Sequence, residues 1–248
     1  MMMGFVAALQ FLLVSPAFIR RPFTPRELGA ATGFYPLVGL LLGALLALAD
    51  LLLGRLFPLQ VRSALILALW ILLTGALHFD GFLDACDGLL GGATPERRLE
   101  IMRDERTGAY GLAGGVLLLL ILFSALNAVD VQRWTVLLLA PVLGRWAMSL
   151  AVVIFPYARP EGLGRDIKDN VHTREAVIAT VAMLIVVDAL ALLRRDYAPV
   201  VALGVAAAVW WLSAAFILRR IPGMTGDTYG AINMLVEAST LLTFAAML

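Results

Sequence analysis

Seven apolar runs, each near the length of about 20 residues that carries a helix across a bilayer, dominate the pattern of this 248-residue chain. They fall at roughly 32–54, 60–78, 109–128, 134–155, 175–194, 198–218 and 229–248. The pattern predicts an all-α fold: a single integral-membrane domain covering 1–248, with about seven transmembrane helices. Polar residues collect in three connections, 79–108, 156–174 and 219–228. The first apolar stretch, GFVAALQFLLVSPAFIRR, has no basic residue ahead of it and no cleavage site of the small-residue type, so it is not a secretory signal. It predicts an interfacial or re-entrant helix stopped near Pro16.

Composition strengthens this reading. The chain is 61% hydrophobic and 15% charged, with a mean hydropathy of +0.91, whereas soluble domains carry roughly 25% charge. A net charge of +1 offers no global field for nucleic acid. The single cysteine, Cys86, excludes an intrachain disulfide framework and a cysteine-ligated zinc site. The basic residues set an orientation. Alternating the spans places Arg20, Arg21 and Arg26 on the same side as all three polar connections, thirteen basic residues against five opposite, with Arg145 inside a span. Lysine and arginine excess marks the cytoplasmic side, so the polar motifs are expected to face the cytoplasm from the cell's inner membrane.

The densest of these motifs is HFDGFLDACDGLLGG, residues 78–92. Asp80, Asp84 and Asp87 are spaced i, i+4, i+7, which on a helix aligns them in one stripe. Unpaired carboxylates so close repel one another, and hard oxygen ligands suit Mg²⁺, Mn²⁺ or Ca²⁺. Gly81 and Gly88 leave the adjacent backbone bare. Downstream, Thr94-Pro95 reads as a helix start, and Arg103 and Arg106 bracket Asp104; such arginines can hold phosphate oxygens or simply lace a surface helix. A third segment, YARPEGLGRDIKDN, carries Arg159, Glu161, Gly162 and Gly164. A fourth, GMTGDTYGAINMLVE, brings Thr225, Gly226 and Asp227 together at a helix N-terminus, with Glu237 a few turns further on. Glu237 is an intramembrane acid that is either functional or paired with Arg145. His78 and His172 are too far apart in sequence to support a metal site; His78 fits the orienting of a carboxylate or an interfacial place. Carboxylates and arginines gathered at a membrane surface point to phosphoryl transfer on an amphiphilic substrate.

These strings, together with FYPLVGLLLG (34–43), RRLEIMRDERTGAYG (97–111) and APVLGRWAM (140–148), resemble the cobalamin synthase family, the adenosylcobinamide-GDP ribazoletransferases, over nearly the whole chain. The chain departs from that pattern at Glu105, Cys86 and Met234, where serine, a small residue and a second glutamate are common. The resemblance implies attack by the 3′-hydroxyl of α-ribazole, or of its 5′-phosphate, on the cobinamide-side phosphorus of adenosylcobinamide-GDP, with release of GMP. It implies Mg²⁺, with Mn²⁺ as a substitute, on Asp80, Asp84 and Asp87. Arg103, Arg106, Arg145, Arg159, Glu161, Thr225, Gly226 and Glu237 become candidate substrate contacts. Asp104 and Asp227 become the candidate catalytic carboxylates, either as the base for the hydroxyl proton or as further metal ligands. The lipid bilayer is an expected partner, and homo-oligomerisation stays open. A CDP-alcohol phosphotransferase would share the chemistry, but Gly91-Gly92 stands where that signature requires Ala-Arg and no later G-x3-D-x3-D follows. A transporter would need acids near the bilayer midplane and repeated halves; the motifs instead crowd one face.

Overall fold

The computed structural model describes residues 2–247 and is helical throughout, with no strand among the described residues. Twelve α-helices run in the order α1 (Met2–Leu12), α2 (Pro25–Ala31), α3 (Tyr35–Leu53), α4 (Leu59–Leu73), α5 (Leu77–Gly91), α6 (Pro95–Ile101), α7 (Ala109–Ala128), α8 (Arg133–Ile154), α9 (Leu163–Asn170), α10 (Thr173–Arg194), α11 (Ala198–Leu218) and α12 (Gly226–Ala246). A short 3₁₀ turn, Thr32–Phe34, joins α2 to α3, so that Pro25–Leu53 forms one long apolar unit.

Local chemistry fixes the ends. Thr24 and Glu27 form a reciprocal capping box at α2, with Pro25 in its first turn. Thr94 caps α6 ahead of Pro95, and Thr225 caps α12. The N-terminal helix is 11 residues long, too short to span, and the chain leaves it before Pro16.

Among the described residues, five helical units are long and apolar enough to cross a membrane, six if one sharply bent pair counts as a span. This makes the protein a polytopic helical membrane protein, as expected, and lowers the expected count of about seven spans at two places. The run expected at 60–78 is broken. Thr74 turns its hydroxyl back onto the carbonyls of Trp70 and Ile71, and Gly75 and Ala76 both take φ of +58°. Consequently α5 leaves α4 at 88°. The connection expected over 79–108 is therefore largely helical, and the three aspartates ride on α5. The last run does form a helix, but α12 is not among the apolar spans. It packs against α5, α7, α8 and α11, and Asn233 and Glu237 are buried in it. Protein surrounds it, so its surface need not be as apolar as one facing lipid.

The core lies along α8 and α12. Pro141, Gly144 and Arg145 are buried in α8, and Arg145 meets Glu237 of α12 at 2.5 Å. At the opposite end of the bundle from the segments discussed next, Asp50 accepts a 2.8 Å hydrogen bond from Nε of Arg133 and lies 3.2 Å from Arg62. This ties the end of α3 to the starts of α4 and α8.

Candidate active site

Three pieces far apart in sequence meet at one end of the bundle. The segment after α8 and the segment before α12 are laced together as a short parallel bridge, Tyr157 beside Met224: Ala158 N–H donates to the Met224 carbonyl (2.8 Å) and Met224 N–H to that of Pro156 (2.7 Å). The start of α5 then packs onto the start of α12. A Cβ on Gly81 would lie 3.1 Å from the Asp227 backbone, and one on Gly230 would lie 3.1 Å from the His78 carbonyl oxygen. Glycine at both positions is what lets the two backbones approach.

Between these pieces lies a cavity of about 680 Å³, within the usual range for small-molecule sites. Of the residues singled out from the sequence, Asp80, Arg103, Arg159, Glu161, Gly226 and Asp227 line it, and His78, Gly81, Gly162 and Gly164 form part of its wall. Asp227 is its best-held carboxylate. Arg159 Nη2 donates to Oδ2 at 2.8 Å and the Thr225 hydroxyl donates to the same oxygen at 3.2 Å. Burial pushes the Asp227 carboxyl above its usual range, while Arg159 and Thr225 pull it back. Nε of Arg159 is buried with no hydrogen-bond partner. Arg165 braces the loop by donating to the carbonyls of Tyr157 and Arg159. Burial raises the Tyr157 hydroxyl from its ordinary range.

The remaining candidates sit elsewhere. Asp84 is one turn along α5 from Asp80 and is within electrostatic reach of Asp227, Asp80, Asp87 and Arg159. Asp87 is turned away: Gly108 and Gly111 donate backbone N–H groups to its two oxygens at 2.7 and 2.8 Å, so it anchors the start of α7. Asp104 and Arg106 are exposed and grip each other, and that pairing holds the Asp104 carboxyl down at about 2. Arg145 and Glu237 lie deep in the core, outside the cavity lining, paired to one another. Thr225 is buried behind Asp227. Tyr35, Tyr157, Tyr229 and Met148 also line the cavity. None was singled out from the sequence, although all four fall inside the quoted strings.

Among the described residues no group of three or more carboxylate, histidine or cysteine side chains is disposed to hold a metal ion. Mg²⁺, however, is commonly bound by one or two carboxylates, with water and substrate phosphate completing its shell. The donor set of Asp80 and Asp84, with Asp227 close by and Arg159 in electrostatic reach of Asp84, suits a divalent ion on that basis.

The fold and the cavity define a polytopic helical membrane protein with a charged site at one end of its bundle. The comparisons narrow this further. The sequence model of the family described as cobalamin-5-phosphate synthase matches residues 4–245, and the chain belongs to that family. It is 43% identical over 246 residues to an adenosylcobinamide-GDP ribazoletransferase of Stutzerimonas stutzeri, covering 98% of each chain. It is 41% identical to the protein of the same name from Pseudomonas fluorescens, over 98% of this chain and 99% of that one. The Trichormus variabilis protein of that name is 38% identical over 82% of each. No solved structure gives a significant match.

Proposed function

We infer that this protein joins adenosylcobinamide-GDP to α-ribazole or its 5′-phosphate and releases GMP, the final assembly of a cobalamin. The observation that carries this reading is the meeting of the family's separate motifs in one cavity, with Asp80, Arg159 and Asp227 on its walls in a chain that matches the family from end to end.

The chemistry follows from the groups present. The ribazole 3′ oxygen bonds to the cobinamide-side phosphorus, the diphosphate bridge breaks, and GMP departs with the bridging oxygen. The hydroxyl proton needs an acceptor. Asp227 is better placed than Asp104, since it lines the cavity and its proton affinity is raised by burial. Arg159 and Arg103 are positioned to hold phosphate oxygens. Asp80 and Asp84 would hold Mg²⁺, which when bound supplies charge neutralisation of the diphosphate. The excess of basic residues in the polar segments that carry the site supports a reading in which it faces the cytoplasm from the inner membrane. Purified protein given adenosylcobinamide-GDP, α-ribazole and Mg²⁺ should release GMP and form one corrinoid product in equal amounts. Absence of GMP release under those conditions would refute the assignment.

A further inference from the structure

One wall of the cavity is aromatic. Tyr35 stacks against Phe11, with ring centroids 6.3 Å apart. Tyr229 packs on Tyr157 at 6.2 Å, and the Arg165 guanidinium lies 5.5 Å over the Tyr157 ring. All three tyrosines are nearly buried, yet all line the cavity. The Tyr229 hydroxyl is the anomaly: it is buried and has no hydrogen-bond partner. A buried phenol normally finds one, and leaving it unmade carries a cost. Nearby, a Cβ added at Gly226 would meet nothing within 4 Å, so there is open space beside this wall. The charged residues that suit a diphosphate flank this wall: Asp80 at the start of α5, Arg159 two residues after Tyr157, and Asp227 two residues before Tyr229.

We propose that the Tyr35–Tyr157–Tyr229 wall is the subsite for the planar base of the ribazole substrate, with the Tyr229 hydroxyl donating to that base's free ring nitrogen. The proposal rests on the transferase reading above and adds to it the location of one substrate. A largely apolar heteroaromatic base with a single ring acceptor matches a wall of rings that holds a buried hydroxyl without a partner. Guanine, the other base in the reaction, presents adjacent N–H donors that a carboxylate accepts better than a phenol does, and the lining's carboxylates are Asp80, Glu161 and Asp227. Tyr229 is thus assigned a role in substrate choice and orientation.

The test is steady-state kinetics on the full-length protein in detergent, varying each substrate in turn, for wild type and Tyr229→Phe. The phenylalanine keeps the ring and removes only the hydroxyl. The KM for α-ribazole should rise by roughly five- to tenfold, the scale of one lost hydrogen bond, with the KM for adenosylcobinamide-GDP unchanged and the melting temperature no lower than that of wild type, because the hydroxyl removed has no partner in the free protein. An α-ribazole analogue with carbon in place of the free ring nitrogen should lose as much on wild type and lose nothing further on Tyr229→Phe. An unchanged α-ribazole KM, a rise on the adenosylcobinamide-GDP side instead, or additive losses with the analogue would each overturn the subsite. Failure of the wild-type protein to turn over would refute the transferase reading itself.

Discussion

Two ion pairs join the same helix to the same neighbouring stretch of chain, and they do opposite things. Arg145–Glu237 and Arg159–Asp227 both link α8 or the segment after it to α12, and the two acids are ten residues apart, about 15 Å along a helix. The deeper pair has side-chain exposures of 0% and 2%; the outer pair has 15% and 19% and faces the cavity. Burial makes the first a fixed strut, because neither charge has anywhere else to go. Partial exposure leaves the second able to exchange partners when a phosphate or a proton arrives. The same residue types thus serve cohesion in one place and chemistry in the other, and depth decides which.

Breaking the inner pair should have the largest effect. Arg145→Ala strands Glu237 in the core and should destabilise the protein by about 3–5 kcal/mol, read as a marked fall in melting temperature. Replacing both partners with apolar residues of similar size should recover most of that loss. If Arg145→Ala melted like wild type but lost turnover, the strut would have to be reassigned as a substrate contact.

The outer end should show the reverse pattern. Asp80→Asn and Asp84→Asn are each expected to lower turnover by about 10²–10³-fold, the scale of losing one preorganised charge at a phosphoryl centre, while melting temperatures stay near wild type. Raising the Mg²⁺ concentration should partly rescue them. Activity close to normal at limiting Mg²⁺ in both variants would remove the metal assignment. Arg159→Lys should cost less, about tenfold, because the charge survives and only the planar fork is lost.

Asp87 sharpens the contrast within α5 itself. It shares the stripe with Asp80 and Asp84 but holds the α7 backbone. Asp87→Ala should therefore lower stability by about 1–3 kcal/mol, the cost of buried N–H groups left unpaired, and any lost turnover should track the melting curve. A fully stable but inactive Asp87→Asn variant would restore it to the metal site.

The smallest effect belongs to the exposed Asp104–Arg106 pair. Its carboxyl is held down at about 2, below the roughly 3.9 of an unfolded aspartate. Whatever it contributes is present above the unfolded value and is lost only as pH falls through the folded one. The melting-temperature difference between wild type and Asp104→Asn should be small and constant from pH 5 to 8. A difference that grows across that window would mean that Asp104 is buried against another group.

Much of this was legible without coordinates. The runs at 109–128, 134–155, 175–194 and 198–218 match α7, α8, α10 and α11 closely, because a helix that crosses a bilayer must be apolar for about the bilayer's thickness. The helix starts at Thr94 and Thr225 were legible for a similarly local reason, since a side-chain cap acts within its own turn. The break after Leu73 was not. Thr-Gly-Ala sits inside an unbroken apolar run, and Gly75 was its one signal.

For the site, the divide has the same cause. The residue types announced the chemistry: crowded carboxylates and arginines call for a cation and a phosphate whatever the fold, and the motif strings pointed to the family. Which of those residues share a cavity depended on contacts between segments far apart in sequence, through the Tyr157–Met224 bridge and the close approach at Gly81 and Gly230. Sequence spacing put Asp80, Asp84 and Asp87 on one stripe. Only packing against α7 and α12 could turn Asp87 toward backbone N–H groups and leave Asp80 facing open space, because the environment of a side chain is set by neighbours that the local chain does not contain.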